Sequence, residues 1–314
     1  MSDVRFDFVK CHGSGNDFPL IDARAIAADW PLVARALADR AGPVGGDGLL
    51  LLVAGADGAT FGMRMFNPDG SEAETCLNGL RCTARLGFEA TGLDAADVSL
   101  RASRAAARRE AAIAPGVVTI GTAAAASTDT ALVGLAIPHP MLVEARVPGL
   151  PSARAFTAVA MPNPHLVSFV EAVDEGELVA LGDWVEAGPA LVPGRANVSF
   201  VEDRGQGRLF VRTYERGVGL TNACGSAMAA ATFAAGLTGR IGWGAPVTVF
   251  NAGGLVRTEA AAPADGAVVR VSGNATFEWD GVVEVEGDRL GPLEVTPRRE
   301  DEVRAWDAAV AALT

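Results

Sequence analysis

The chain is almost without lysine: of its 26 basic residues, 25 are arginine and one is Lys10. An enzyme built on pyridoxal phosphate needs a lysine for its Schiff base. Lys10 falls in an apparent strand, Phe6-Asp7-Phe8-Val9-Lys10, with no cofactor-binding residues around it. Amino-acid chemistry in this chain is therefore expected to run without that cofactor, and no other cofactor is expected. The three histidines are scattered. Neither Cys11 with His12 nor Cys76 with Cys82 supplies the ligand set of a zinc site, so no metal is expected. Four cysteines in 314 residues do not make a disulfide framework, and free thiols in a reducing cytoplasm are the simplest expectation. No run of 18 or more apolar residues is free of charge, which argues against a membrane span. The opening Met1-Ser2-Asp3-Val4-Arg5 has no apolar signal segment. Net charge is −12, and no basic cluster is interleaved with aromatics. The densest cationic run, Arg101 to Arg109, is spaced by alanines and reads as a solvated helix face. Nucleic acid is not an expected partner.

Nearly half of the residues are apolar, enough for two domains of ordinary size with sizeable cores. Phe6 to Lys10 and Phe61 to Phe66 alternate as strands do, and Leu49 to Val53, after the turn Gly45-Gly46-Asp47-Gly48, reads as a buried strand. Further strands are expected at Leu166 to Val170, Val198 to Val201, Val268-Val269 and Val282 to Val285. Trp30 to Ala41 has helical spacing. Ser226 to Ala235 is Ala, Met and Phe with almost no polar face, so a helix there must be enclosed. Asp301 to Leu313 has the pattern of a short amphipathic helix. The Ala/Ser/Thr-rich segment Thr122 to Thr130 is the best boundary. It gives an N-terminal lobe over 1–127, with a return strand from 271–286, a second lobe over 128–270, and a C-terminal extension over 287–314.

A repeat links the two lobes. Arg64-Met65-Phe66-Asn67 matches Arg212-Thr213-Tyr214-Glu215: an arginine, an aromatic two residues on, and a cysteine twelve residues after the arginine. Asn78 and Ser226 follow two residues past Cys76 and Cys224, then small and apolar residues, then Thr91-Gly92 and Thr238-Gly239. Each cysteine stands at an expected helix start, where unsatisfied amides and the helix dipole favour anions. Such a position lowers a thiol pKa and seats a carboxylate. Two such thiols facing one carbon would serve as thiolate base and thiol acid, exchanging roles with substrate handedness. The bland alternative is two buried structural cysteines. Cys82, within the first helix, and Cys11, at a strand end, read as packing.

The chain resembles the diaminopimelate epimerase family. The matching stretches are His12-Gly-Ser-Gly-Asn-Asp-Phe18, Gly46-Asp-Gly48, Asn67-Pro-Asp-Gly-Ser-Glu-Ala73, Cys76-Leu-Asn-Gly-Leu-Arg-Cys82, Asn163-Pro-His165, Asn197-Val198, Tyr214-Glu-Arg-Gly-Val-Gly219 and Ala223-Cys-Gly-Ser226. The resemblance implies an α+β fold of two pseudo-symmetric lobes, each a curled, mostly antiparallel sheet around a central helix, with the active site in the cleft between. It implies a pyridoxal-independent epimerisation of LL-2,6-diaminopimelate to the meso isomer, on the route to lysine and peptidoglycan precursors. Cys76 and Cys224 would be the acid–base pair, with His165 and Glu215 beside them. Amides at Leu77-Asn78 and Gly225-Ser226 would hold the reacting carboxylate. Asn16, Asn67, Asn163, Asn197 and Arg216 would bind the rest. The implied partner is a small amino acid, with neither membrane nor nucleic acid, and a homodimer is compatible with it.

Each residue also has a plainer reading. An Asn in Asn-Pro or Asn-Asp is often a turn residue, Glu215 beside Arg216 could be a surface pair, and His165 a packed strand end. The sequence departs from the family pattern at Leu77 and Leu80, where Gly and Ala are usual, at Leu220 and at Ala227. Leu77 would add bulk beside an amide meant for a carboxylate. A cofactor-independent racemase of another amino acid, histidine- or proline-racemase-like, is the runner-up. A silent binding protein on the same fold and a thiol redox protein are the remaining alternatives. The last lacks a close Cys-x-x-Cys.

Overall fold

The structure, a computed structural model, describes residues 4–73, 76–287 and 289–313. The chain divides into two compact units, Met1–Thr122 with Ser272–Thr314, and Ala123–Val271. Unit 1 opens with β1 (Val4–Gly13), β2 (Asn16–Asp22), α1 (Trp30–Leu37), β3 (Leu49–Ala54), β4 (Phe61–Phe66), β5 (Glu72–Ala73), α2 (Leu77–Thr91), β6 (Ala95–Ser99), β7 (Arg104–Arg109) and β8 (Thr119–Ala125). Unit 2 follows with α3 (Thr130–Val133), β9 (Thr157–Met161), β10 (Asn163–Val170), α4 (Glu175–Glu186), β11 (Asn197–Asp203), β12 (Arg208–Glu215), β13 (Gly219–Thr221), α5 (Gly225–Leu237), β14 (Val247–Asn251), β15 (Gly254–Ala260) and β16 (Val268–Asn274). The chain then returns to unit 1 as β17 (Thr276–Glu286), β18 (Arg289–Arg298) and α6 (Glu300–Ala311).

Both units are hydrogen-bonded on one plan. In unit 1, β1 pairs antiparallel with β2, β2 parallel with β3, β3 antiparallel with β4, β4 antiparallel with β5 and parallel with β6, and β6 antiparallel with β7. In unit 2, β9, β10, β11, β12, β13, β14 and β15 repeat those seven positions with the same directions. The helix that follows the short fifth strand is α2 in one unit and α5 in the other. The repeat seen in the arginine-to-cysteine spacing thus extends to the whole strand order.

Sequence explains why those helices lie inside. Around α5, Met228 and Phe233 with the intervening alanines pack against Val159, Val167, Val211, Val249 and Val271. The alanines carry so little side chain that strands can close on every face of the helix. Around α2, Leu80, Cys82 and Phe88 pack against Phe18, Leu50, Phe61 and Phe277. An α5 residue turned to charge would place that charge among valines, at a cost no neighbour offsets. Outer helices complete each unit. Leu178, Leu181 and Val185 of α4 cover Phe156, Val198 and Phe200, and Val33 and Leu37 of α1 cover Phe6, Leu49 and Leu51. Gly92 ends α2 in the left-handed region (φ 72°), the usual helix stop.

Two elements differ from expectation. The arginine run 101–109 is a β-hairpin arm, not a helix face: in β7, Ala105 and Ala107 turn inward while Arg104, Ala106 and Arg108 face solvent. A period of two fits alanine–arginine alternation as well as a helical stripe does. The expected helix at 30–41 ends at Leu37, and the chain leaves it through Ala38.

The C-terminal segment is integral to unit 1. β18 pairs with β17, and Glu302 of α6 takes Arg85 of α2 in a two-pronged contact, 2.5 and 2.8 Å. Arg85 also donates to the Ala275 carbonyl and lies over the Phe277 ring at 3.8 Å. Trp306 of α6 is buried against His12, ring centres 5.7 Å apart. Removing the carboxylate leaves the buried Arg85 with only the more exposed Glu89 as counter-ion, so Glu302→Ala should destabilise the protein by about 3 kcal/mol. Urea unfolding of the variant measures this, and a Glu302→Gln protein should recover part of the loss.

Candidate functional site

In unit 1 the site is built on the turn that feeds α2. Cys76 is the N-cap residue, extended at φ −149° and ψ 109°, and its sulfur accepts the Gly79 amide at 3.3 Å. Its thiol points to Asn16 Oδ1 at 3.6 Å. Asn16 is held from behind by Asp47, which is fixed by Arg40 at 2.5 Å. Asp17, next in the chain, is clamped by Lys10 and Arg40. The lone lysine therefore braces Asp17, and Arg40 bridges Asp17 and Asp47. Leu77 is packed into the apolar cluster around α2. Asn78 is buried and accepts from Arg81 Nη2 at 2.9 Å. Asn67 lies in the turn after β4, donating to Ser71 Oγ at 3.0 Å. Its bonds there are those of a turn residue.

In unit 2, Cys224 caps α5 with nearly the same backbone, φ −127° and ψ 104°. Its sulfur lies 3.5 Å from Ser226 Oγ. Glu215, at the end of β12, accepts from Thr221 Oγ1 at 2.5 Å and from the Cys224 thiol. Burial pushes the Cys224 thiol well above its ordinary pKa. The Glu215 charge adds to this, and the Ser226 hydroxyl and Ala227 amide oppose it. The helix start alone would lower that pKa; here desolvation outweighs it, so Cys224 rests as a protonated thiol.

A second group adjoins it along β10, β11 and β12. His165 Nε2 lies 3.0 Å from Asn163 Oδ1 and 3.4 Å from Asn197 Nδ2. Asn197 Oδ1 accepts the Arg216 amide at 2.8 Å, and Arg216 Nη1 donates to the Gly194 carbonyl. Asn163 Oδ1 calls for a proton on Nε2, and Asn197 Nδ2 would donate to a bare one; the shorter contact, to Asn163, favours the Nε2–H tautomer. His165 Nδ1 is then bare, buried, and without a hydrogen-bond partner among the described residues. Burial, and then the Arg216 charge, lower the His165 pKa to about 3, so the ring is neutral.

The structure thus brings together Asn16, Cys76, Leu77 and Asn78 in one unit. In the other it gathers Glu215, Cys224, Gly225 and Ser226, with Asn163, His165, Asn197 and Arg216 alongside. Sequence reasoning gave no role to Arg81, Asp47 or Thr221, although the first two lie inside motifs it singled out. Each acts by touching a neighbour distant in sequence, which spacing alone does not reveal. Among the described residues no group of three or more His, Cys, Asp or Glu could hold a metal, and no helix is long and apolar enough to cross a membrane.

The fold is one found in amino-acid epimerases. A hydroxyproline epimerase from Agrobacterium vitis superposes with TM-score 0.62 at 13% identity, covering 98% of both chains. A PhzF-family phenazine biosynthesis protein from Bacillus anthracis does so at 0.63 and 13%, over 90% of this chain and 99% of that one. Sequence comparison is narrower. The family model for diaminopimelate epimerase matches residues 8–113 and 157–278. The diaminopimelate epimerase of Clostridium acetobutylicum is 34% identical over 296 residues, 91% of this chain and 88% of that protein. That of Enterococcus faecalis is 37% identical over 280 residues, 85% and 86%. The chain belongs to the diaminopimelate epimerase family.

His12 is the second buried imidazole, and desolvation lowers its pKa to about 4. Both rings take up protons less readily folded than unfolded, where about 6.5 applies. The stability they contribute is complete above pH 6.5 and is lost as pH falls toward the folded values. Between pH 6.5 and 5, above the range of most carboxylates, unfolding free energy should drop by roughly 2 kcal/mol per ring. Urea titrations across that window measure it, and His12→Gln should flatten the slope.

Proposed function

We propose that this protein interconverts LL- and meso-2,6-diaminopimelate without a cofactor, Cys76 and Cys224 acting on opposite faces of the same α carbon. One observation carries the reading: each cysteine caps the enclosed helix of its own unit, at the same step of a repeated strand order. The names of the relatives give the substrate class.

The chemical difficulty is a weakly acidic C–H bond. A thiolate removes the α proton, and a thiol on the other face returns one. With Cys224 resting as thiol, the resting enzyme offers an acid on that side, and Cys76 serves as base for the isomer it faces. For the other isomer the roles exchange, and the two sulfurs titrate as a pair. The amides of Leu77, Asn78, Gly225 and Ser226 open their helices without helical acceptors and seat the α carboxylate, where they steady the negative charge that develops on deprotonation. Glu215, locked by Thr221, holds the Cys224 proton in place. His165, neutral, orients Asn163 and Asn197 toward the amino-acid head group. Arg216 is exposed and has no carboxylate partner among the described residues. Its planar fork suits the distal carboxylate. Asn16 and Asn67 complete the polar lining.

In deuterated water the protein should place solvent deuterium at the α carbon of diaminopimelate. Cys76→Ala and Cys224→Ala should each lower inversion at least about a thousandfold. Normal inversion by Cys76→Ala would end the two-base scheme. Exchange of another amino acid with none of diaminopimelate, in a panel read by mass spectrometry, would reassign the substrate.

A further inference from the structure

Arg81 is wholly buried, yet no carboxylate meets it among the described residues. Its guanidinium instead spends its protons on neutral oxygens. Nη2 donates to Ser14 Oγ at 3.0 Å and to Asn78 Oδ1 at 2.9 Å, and Nε to the Asn274 carbonyl at 3.0 Å. The cradle is built for it. A Cβ on Gly273 would stand 2.8 Å from the guanidinium carbon, and one on Gly13 would stand 3.1 Å from Nη2 and 2.7 Å from the Asn78 carbonyl oxygen. Ser14 is turned into the left-handed region, φ 53°, and its amide is pinned by Asn274 Oδ1 at 2.7 Å. Two glycines and a strained serine thus make room for a cation that finds no counter-ion there.

We propose that Arg81 is a positioning residue that supplies the fixed positive charge favouring the Cys76 thiolate. The inference rests on Cys76 being an acid–base group of the proposed reaction. Burial lowers the Arg81 pKa, to about 10, so it stays charged at neutral pH; the thiols of Cys82 and Cys76 are the groups whose ionisation would favour that charge. Cys82 is fully buried in the core, and Cys76 is half-buried. The anion that balances Arg81 forms where water and substrate reach, at Cys76.

Among the described residues, most other charges on elements packed against α2 pair off. Asp17 of β2 meets Lys10 of β1 and Arg40, and Asp47 beyond Asn16 meets Arg40. Arg64 of β4 meets Glu72 of β5, and Arg85 of α2 itself meets Glu302 of α6 and Glu89. Arg109 of β7 meets Asp94, while Asp97 of β6 is exposed. His12 of β1 is neutral, and Cys11 of β1 is held as a thiol by burial. Among the described residues, the buried charge on α2 without an ionic partner is Arg81.

The test is the pH dependence of iodoacetamide alkylation at Cys76, mapped by mass spectrometry in full-length Cys224→Ala protein. With Arg81 intact, the midpoint should fall below the ordinary thiol value of about 8.5. Arg81→Met should raise it by about one unit, slowing alkylation about tenfold at pH 7. Arg81→Lys, which keeps the charge and loses the fork, should restore most of the difference. A midpoint at or above 8.5 with Arg81 intact overturns the proposal. So do equal shifts in the Met and Lys variants, which would mark a packing role. Should Arg81→Met fail to fold by circular dichroism, the midpoints of the intact and Lys proteins still decide. The alkylation curve does not depend on turnover. An active Cys76→Ala enzyme would therefore refute the two-base reading, and an unmoved curve would refute the role of Arg81.

Discussion

Everything in both units is arranged around a helix that has no solvent face. Such a helix buries its first amides along with its side chains, and amides without acceptors are costly in a dry interior. The chain places a sulfur at each N-cap. Cys76 accepts the Gly79 amide, whereas the Cys224 side chain makes no cap hydrogen bond and lies 3.5 Å from the Ser226 hydroxyl. Sulfur is a weak acceptor as a thiol and a strong one as a thiolate. In the proposed reaction, the position that closes the helix is also the one where a proton is exchanged at small structural cost. Fold and chemistry share one constraint.

The two ends are nonetheless tuned apart. Cys224 faces the negative Glu215, locked by Thr221, and is deeply buried, so its proton is held. Cys76 faces a neutral Asn16 and shares α2 with the buried cation Arg81. A pair of identical groups whose surroundings favour opposite protonation states is the arrangement that acid–base catalysis uses. The repeated strand order places the sulfurs at equivalent steps, and in the proposed reaction the departures from that repeat set which one rests as acid. Arg64 and Arg212 show the same economy. Both stand at matched positions, and each is tied to a carboxylate outside its own strand, Glu72 and Glu175.

Much of this was legible in the sequence because it is written in periods. The apolar Ser226 to Ala235 run announced an enclosed helix, and the paired Arg-x-aromatic spacings announced the repeat. The fold reached by resemblance, a curled sheet around a central helix in each half, is the one the solved relatives share. What escaped was whatever depends on a tertiary contact. The alanines of 101–109 fit a strand as well as a helix, and only pairing of β7 with β6 and β8 decided it. The bulk of Leu77 looked like an obstruction at the carboxylate seat, but its side chain packs into the core. The helix-start rule for thiols was sound as a trend and lost to burial at Cys224, since a rule about local dipoles carries no term for the dielectric around them.

The C-terminal extension illustrates the same limit from the other side. Its charged composition gave no catalytic signal, and it lies past the last residue matched by the family model, 278. Yet Glu302 grips Arg85 on the helix that Cys76 caps, and Trp306 closes over His12, whose ring reaches Asn274, the residue that pins Ser14 and, through its carbonyl, Arg81. A chain of contacts therefore runs from α6 to the cradle of Arg81 without passing through any residue of the proposed acid–base or substrate-binding set. A segment with no chemistry of its own can set the geometry of a reacting group when the intervening side chains are buried and fully bonded, because packed interiors transmit displacement rather than absorb it.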